Sequence, residues 1–311
     1  MKTIFFTTAT LLLVISNLFA GQSEKIVTLT TESGTLEGTL LIPETKAMIP
    51  AALIIAGSGP TDRDGNNPMM KNNSLKMLST ELLKNGISTL RYDKRGIGKS
   101  KNAGLKESDL RFENYIEDAK GWIKFLKHNK GFDQIIVIGH SEGSLIGMIA
   151  SQEKDVDKFI SIAGVGQSAD KTIREQLKAQ PAIVLEQSTP ILNKLIQGKM
   201  VKNVPPMLTS LFRPSVQPYL ISWFKYDPQK EIAKLKKPVL IVQGSTDIQV
   251  SVKDADKLAK ANQKAKKQII KGMNHFLKEA ELDRQKNIQT YNQPELPLKT
   301  ELIKVLIDFI K

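Results

Sequence analysis

The chain has 311 residues, 41% hydrophobic and 25% charged, and this composition excludes an intrinsically disordered protein. Its 45 Lys and Arg against 32 Asp and Glu give a net charge of +13. These basic residues are scattered and do not interleave with aromatic residues, so we predict a lysine-rich surface that aids solubility and no nucleic-acid partner. The chain has no cysteine, which excludes disulfides, thiolate metal sites and a cysteine nucleophile.

The first 20 residues are predicted to be a secretory signal peptide. Lys2 gives a positive start, an apolar run follows from residue 4 to residue 19, and Ala20 precedes a polar stretch. We therefore expect cleavage after Ala20, export to the periplasm or the medium, and no stable membrane anchor afterwards. The alternative is an uncleaved anchor, although the apolar run is short for a membrane-spanning helix.

The next part of the chain begins with two alternating segments, residues 25–31 and 34–42, which are typical of an antiparallel hairpin. Nearly continuous apolar runs then indicate strands buried on both faces, at residues 51–56, 87–90, 135–138, 159–163 and 239–242. Helical patterns lie between and after them, at residues 74–84, 113–127, 144–152 and 253–261. A strand at residues 267–270 and a helix at residues 299–310 follow. Strands that alternate with helices predict an α/β fold with a mostly parallel sheet.

The alternation breaks at residues 165–227, which contain several prolines and end in an aromatic cluster. A stretch of roughly 60 residues between two strands is too long for an ordinary loop. We predict a helical cap inserted into a core formed by residues 21–164 and 228–311. Within the cap, residues 176–200 are predicted to be helical, with interruptions at Pro181 and Pro190.

The sequence GHSEG at residues 139–143 matches the nucleophile elbow of serine hydrolases. It follows one predicted strand directly and precedes a predicted helix, which is the context that the elbow requires. The two glycines permit a sharp turn that exposes the hydroxyl of Ser141, so we predict Ser141 as the nucleophile. The alternative is a glycine-rich turn in which the serine only caps the helix.

A serine hydroxyl needs a base, and the chain has three histidines. His128 is expected to be a solvated residue at a helix end, and the side chain of His140 is expected to point away from Ser141. His275 lies in a loop after the last predicted strand, where the sites of parallel sheets assemble. We therefore predict His275 as the base.

Asp247 is predicted to be the acid that orients this histidine. It follows the strand at residues 239–242, and the chain order Ser, Asp, His is that of α/β-hydrolases. Two other carboxylates compete for the role. Asp227 precedes its strand, and Glu279 is too close in sequence to His275 to be its natural partner.

Two backbone N–H groups are needed to stabilise the oxyanion. We predict that Glu142 supplies one and that Ser58, in the loop GSGP at residues 57–60, supplies the other. No cofactor and no metal site are predicted. The sequence DRDGN at residues 62–66 has its glycine at the fourth position rather than the sixth and lacks a closing Glu, so we favour a polar turn over a calcium loop.

These motifs together resemble those of exported α/β-hydrolases related to the serine aminopeptidase and bile-acid-CoA acyltransferase-like hydrolases. The resemblance extends from about residue 35 to the end of the chain and rests on GSGPTDRDG at residues 57–65, RYDKRGIGKS at residues 91–100, the GHSEG elbow, Asp247 and His275. It implies the α/β-hydrolase fold. It also implies that the segment from Asp93 to Ser100 braces the oxyanion loop.

The predicted function is hydrolysis of a small-molecule carboxylic ester through an acyl-enzyme on Ser141. The alternative is an aminopeptidase-like amide hydrolase in which Glu142 binds a substrate ammonium group, although a solvated or structural Glu142 is the favoured interpretation. A third hypothesis is a catalytically silent binding protein on the same fold. The apolar and aromatic residues of the cap indicate an acyl or aromatic pocket, so the cap is expected to decide the substrate.

Overall fold

The computed structural model describes residues 22–45, 47–104, 106–128 and 131–311. The predicted signal peptide, residues 1–20, lies outside these ranges. Within them, no helix combines the length and the apolar character that crossing a membrane requires.

The strands form one mixed sheet. They are β1 (Gln22–Thr31), β2 (Gly34–Pro43), β3 (Ile49–Ile55), β4 (Ser88–Tyr92), β5 (Phe132–His140), β6 (Lys158–Ile162), β7 (Val239–Gly244) and β8 (Lys266–Ile270). Their order across the sheet is β1-β2-β4-β3-β5-β6-β7-β8. β1 is antiparallel to β2 and β2 is antiparallel to β4, whereas the other neighbours are parallel. The predicted hairpin and the mostly parallel sheet are confirmed.

The helices of the described part are α1 (Ser74–Lys84), α2 (Phe112–Lys127), α3 (Glu142–Ala150), α4 (Ala169–Leu177), α5 (Ala182–Ile196), α6 (Thr209–Phe212), α7 (Gln217–Trp223), α8 (Pro228–Ala233), α9 (Val252–Ala261), α10 (Arg284–Gln289) and α11 (Thr300–Ile310). The start of α3 comes two residues earlier than predicted, because the turn at Ser141 leads directly into the helix. Helices α8 and α10 were not predicted, because they have six residues each and are too short to show an apolar period.

Apolar side chains fill both faces of the sheet because successive strand residues point to opposite sides. In β3, Leu53 and Ile55 pack in the cluster that contains α2 and α3, whereas Ala52 and Ile54 pack in the cluster that contains α1 and α11. Helices therefore cover the sheet on both faces. This two-sided burial explains why the parallel strands appear in the sequence as nearly continuous apolar runs.

Helices α4 to α7 lie between β6 and α8, within the predicted cap at residues 165–227, whose bounds stay a prediction. Pro181 immediately precedes α5, whereas Pro190 lies inside that helix and does not interrupt it. The cap rests on the core through aromatic rings. Trp223 of α7 stacks on Phe112 of α2 with their ring centres 5.8 Å apart. The cap thus lies close to the carboxyl ends of the parallel strands, where a site is expected.

Candidate active site

Ser141 occupies the turn between β5 and α3 with φ 55° and ψ −120°, a backbone conformation that costs energy for any residue other than glycine. The glycines on either side are required sterically. A Cβ added at Gly139 would lie 2.2 Å from the carbonyl oxygen of Gly143, and one at Gly143 would lie 2.3 Å from the carbonyl oxygen of Ile55. The local geometry is that of a nucleophile elbow.

His275 and Asp247 are in direct contact. His275 Nδ1 lies 2.8 Å from Asp247 Oδ2, and both side chains are buried. The other carboxylate oxygen, Oδ1, accepts hydrogen bonds from the backbone N–H groups of Gln249 and Val250 at 2.8 and 3.0 Å. The side chain of Gln243 also donates to Oδ2 at 3.0 Å. Asp247 is thereby fixed in orientation and holds one edge of the imidazole.

The surroundings of Asp247 favour its ionised form. Burial by itself raises the pKa of the carboxyl group, but His275 and the two backbone N–H groups outweigh burial, and the pKa is lowered below its ordinary value. An ionised Asp247 accepts a hydrogen bond from the N–H at Nδ1 of His275. In the neutral imidazole this contact leaves Nε2 as the acceptor nitrogen.

Ser141 and His275 line the same cavity of about 160 Å³, together with Gly57, Ser58 and His140. The structure therefore brings the predicted nucleophile, base and oxyanion loop to one place, with Asp247 behind the base. Their catalytic roles stay predictions.

The two carboxylates that compete with Asp247 for the role of orienting acid make other contacts. Asp227 caps α8 by accepting the N–H of Gln229 at 3.0 Å, and Glu279 pairs with Lys299.

No role was predicted for the side chain of His140, and it lies against His275 in the structure. The two ring centres are 4.8 Å apart, and His140 Nε2 lies 2.9 Å from the backbone carbonyl oxygen of His275. Burial, followed by the charge of His275, lowers the pKa of His140 to about 3. His140 is therefore neutral at ordinary pH and donates from Nε2 to the loop that carries His275. No sequence signal distinguished this contact, because it joins residues 135 positions apart.

Glu142 is buried rather than solvated. One of its carboxylate oxygens lies 3.2 Å from Lys94 Nζ, and the other accepts a hydrogen bond from the hydroxyl of Tyr219 in α7. Lys94 also donates to the carbonyl oxygen of Gly57 at 2.5 Å. Burial and the charge of Glu142 raise the pKa of Tyr219 well above its ordinary value. Lys94 was not among the predicted site residues. The one sign of its role in the sequence is its position in the segment that the resemblance implies braces the oxyanion loop.

The loop at residues 62–66 is held by its own contacts. Asp62 Oδ1 accepts the N–H groups of Asp64 and Asn66 at 2.9 and 2.8 Å. Arg63 bonds Asp93 through its backbone N–H and through its guanidinium group, at 2.8 Å in each case. Asp93 thus joins the segment after β4 to the loop after β3.

Within the described ranges, no group of three or more His, Asp or Glu side chains is placed to hold a metal ion.

Two further cavities lie near the site, and Ser141 lines the smaller of them. A narrow cavity of about 110 Å³ is lined by Ser141, by Ser58 and by apolar side chains that include Leu145, Ile173 and Trp223. A wider cavity of about 640 Å³ shares several lining residues with the narrow one and has polar and charged groups at its wall. The site therefore combines a small apolar compartment with a larger polar one.

The architecture and this geometry are those of the α/β-hydrolase fold. Residues 72–218 match the model of the family described as serine aminopeptidase S33. Esterase EstD of Thermotoga maritima is 28% identical to this chain over 246 residues, which are 78% of this chain and 58% of that protein. The chain thus spans less than two thirds of the length of this curated relative.

Solved structures agree on the fold. Est1E of Butyrivibrio proteoclasticus with ferulic acid bound has a TM-score of 0.61 and 19% identity, covering 91% of this chain and 99% of that one. The esterase Pf2001 of Pyrococcus furiosus has a TM-score of 0.60 and 20% identity, covering 92% of this chain and 90% of that one. The predicted fold, and the resemblance to α/β-hydrolases of the serine aminopeptidase group, are confirmed.

Proposed function

We propose that the chain is a serine hydrolase that cleaves carboxylic esters through an acyl-enzyme on Ser141. The observation that carries the proposal is the arrangement of Ser141 in a strained elbow beside a histidine held at 2.8 Å by Asp247. A hydroxyl, an imidazole and a carboxylate in this order are what nucleophilic acyl transfer requires.

In the proposed reaction, Ser141 Oγ attacks the ester carbonyl carbon while Nε2 of His275 takes the hydroxyl proton. Asp247 stabilises the imidazolium that forms. The backbone N–H groups of Ser58 and Glu142 bind the oxyanion of the tetrahedral intermediate. The intermediate then expels the alcohol, which receives the proton from His275. Water, deprotonated by the same imidazole, then attacks the acyl carbon. The bond to Ser141 Oγ breaks, Oγ takes the proton back from His275, and the acid is released.

An ester substrate is favoured over a peptide. The curated relative EstD is named an esterase, and so is Pf2001. The carboxylate of Glu142 supports the same choice, because Lys94 and Tyr219 already occupy its oxygens. An aminopeptidase would need a carboxylate free to bind the substrate ammonium group.

We assign the acyl group to the narrow apolar cavity and the alcohol to the wider polar one. The cavity of about 110 Å³ fits a short acyl chain, because Leu145, Ile173 and Trp223 give it an apolar wall. Its one charged side chain, Glu142, is already paired with Lys94 and Tyr219. The wall of the wider cavity includes Lys257, Arg284 and Glu175, which suit a polar leaving group.

The test is a rate panel of p-nitrophenyl esters of rising chain length beside aminoacyl anilides, with wild type and Ser141→Ala. Ester turnover that falls about 10⁵- to 10⁶-fold in the variant would support the proposal. Faster turnover of anilides than of esters would favour the peptidase. No turnover, together with no labelling of Ser141 by a fluorophosphonate, would leave the silent binding protein as the better hypothesis.

We also propose that the enzyme acts after export, with cleavage after Ala20. The support is the pattern of the first 20 residues in the sequence. Amino-terminal sequencing of the protein recovered from the periplasm or the medium tests this. A first residue of Gly21 would support export, and recovery of the full chain from the cytoplasm alone would contradict it.

A further inference from the structure

Both predicted oxyanion donors are connected to one buried ion pair. Lys94 Nζ contacts the carbonyl oxygen of Gly57, which belongs to the peptide group that carries the N–H of Ser58. The same ammonium group pairs with the side chain of Glu142, whose backbone carries the other donor. We propose that Lys94 and Glu142 are positioning residues that fix the direction of the oxyanion hole. This inference rests on the proposed ester hydrolysis.

The geometry of a peptide group determines what Lys94 can do. The bond between Gly57 and Ser58 is trans, so its C=O and N–H point in opposite directions. Because the carbonyl faces the buried Lys94, the N–H of Ser58 faces the other way. Among the described residues, none accepts a hydrogen bond from that N–H. Ser58 lines both cavities that contain Ser141.

The peptide also lies next to the nucleophile. A Cβ added at Gly57 would be 3.2 Å from Cβ of Ser141, which shows how closely the oxyanion loop passes. An ester carbonyl attacked by Ser141 would therefore place its oxygen beside the free N–H of Ser58.

The glycine-rich oxyanion loop needs a contact such as the Lys94 hydrogen bond to hold its backbone in one orientation. Gly57 and Gly59 flank Ser58, and glycine permits backbone rotations that other residues resist. If the peptide flipped, the carbonyl oxygen of Gly57 would face the oxyanion and repel it. A hydrogen bond from a charged ammonium group opposes the flip and is roughly twice as strong as one from a neutral donor. It also polarises the peptide and makes its N–H a better donor.

Glu142 offsets the energetic cost of burying the charge of Lys94. Lys94 is 1% exposed, and an ammonium group at that depth requires a counter-charge. Glu142 supplies it, and Tyr219 donates to the second carboxylate oxygen. The ammonium group also lies 5.0 Å from the ring centre of Tyr115. The polar and aromatic partners of the pair, which are the Gly57 carbonyl, Tyr219 and Tyr115, thus all belong to the protein, and this suits a positioning role.

The main test is the double variant K94M/E142Q, which removes both charges and leaves neither buried alone. We expect kcat for a p-nitrophenyl ester to fall about 10- to 100-fold with little change in KM, because oxyanion stabilisation acts in the transition state. Affinity for a boronic acid analogue should fall by the same factor. A kcat close to that of wild type, or a loss that appears only in KM, would overturn the proposal.

Lys158→Met is the matched control. Lys158 Nζ also donates to backbone carbonyl oxygens, of Phe309 and Ile310 at 3.0 and 2.6 Å, and lies 5.8 Å from the Phe309 ring centre, far from Ser141 in the fold. This variant should lose stability and keep its kcat. An equal loss of kcat in both variants would show that the effect of K94M/E142Q is only structural and would overturn the proposal.

A second measurement does not depend on a variant that folds. In a crystal structure of the wild-type phosphonate adduct on Ser141, the N–H of Ser58 should bond the phosphonyl oxygen while Lys94 still bonds the Gly57 carbonyl. An N–H of Ser58 turned away from that oxygen would overturn the inference. Failure of wild type to hydrolyse esters would instead refute the proposed function, so the two failures are distinguishable.

Discussion

Two buried pairs near the site, each a nitrogen donor on a carboxylate, have the same contact distance and serve different purposes. Arg63 Nη2 lies 2.8 Å from Asp93 Oδ2, and His275 Nδ1 lies 2.8 Å from Asp247 Oδ2. The guanidinium group of Arg63 is also bonded to Glu37 and Thr39, so its donors are occupied by protein.

The imidazole is held along one edge and lines the cavity that contains Ser141. Burial and pairing alone therefore do not identify a reacting group. His275 differs from Arg63 because Asp247 contacts only Nδ1 of the imidazole and leaves Nε2 available for reaction. Variants of the two pairs should accordingly differ in whether they lose turnover or stability.

Among variants of the two pairs, the largest effect is expected from Asp247→Asn. The amide can no longer stabilise the imidazolium and can hold the wrong tautomer of His275, so kcat for an ester should fall about 10⁴-fold. Steady-state kinetics measures the loss, and Asp227→Asn is the control because that carboxylate only caps α8. A kcat that survives in Asp247→Asn, or falls equally in the control, would show that Asp247 is not the orienting acid.

Arg63→Met should act on stability instead. Its removal leaves Asp93 buried and without its main counter-charge, which should lower the free energy of unfolding by about 3–5 kcal/mol. Urea titration measures this change, and the double variant R63M/D93N should recover part of it. If Arg63→Met were as stable as wild type, the two pairs would not differ in the way described.

The third prediction concerns pH and His140. Its pKa is lowered to about 3 from an ordinary value of 6.5, so between these values the unfolded chain binds a proton that the folded chain does not. The contribution of this group to stability is therefore fully present above pH 6.5 and is lost as the pH falls, by about 1.4 kcal/mol per pH unit.

The check compares urea midpoints of wild type and His140→Gln between about pH 4.5 and pH 6, above the range in which most carboxylates titrate. The glutamine amide can still donate to the His275 carbonyl but does not titrate. Its midpoint should vary less with pH than that of wild type. Equal slopes for the two proteins would mean that His140 is not held neutral by the fold.

The smallest effect is expected from Leu145→Ala, which enlarges the narrow cavity beside Ser141. Each added methylene of the acyl chain that fits the new space is worth about 0.8 kcal/mol, or roughly fourfold in relative kcat/KM. The optimum of an ester series should move to longer chains, whereas Leu306→Ala in α11 should lose stability without moving it. An unchanged optimum would place the acyl group outside this cavity.

The fold class and the order of the main elements follow from local patterns in the sequence. Apolar runs such as residues 135–138 require burial on both faces, and the glycines around Ser141 leave few alternatives to a tight turn. These are local signals, since the residues that carry them are neighbours in the chain. The same locality explains the error at Pro190, where the helix continues despite the loss of one backbone donor.

Which side chains meet at the site could not be predicted from the sequence, because it depends on contacts made in the folded protein. The bond from His140 to the His275 loop, the contact of Lys94 with Gly57 and the burial of Glu142 under Tyr219 each join parts of the chain that are far apart in sequence. A charged residue after a buried strand has the same appearance in the sequence whether it braces a loop or faces a cavity. Its partner settles the question, and the partner is fixed by the packing of the sheet and the cap.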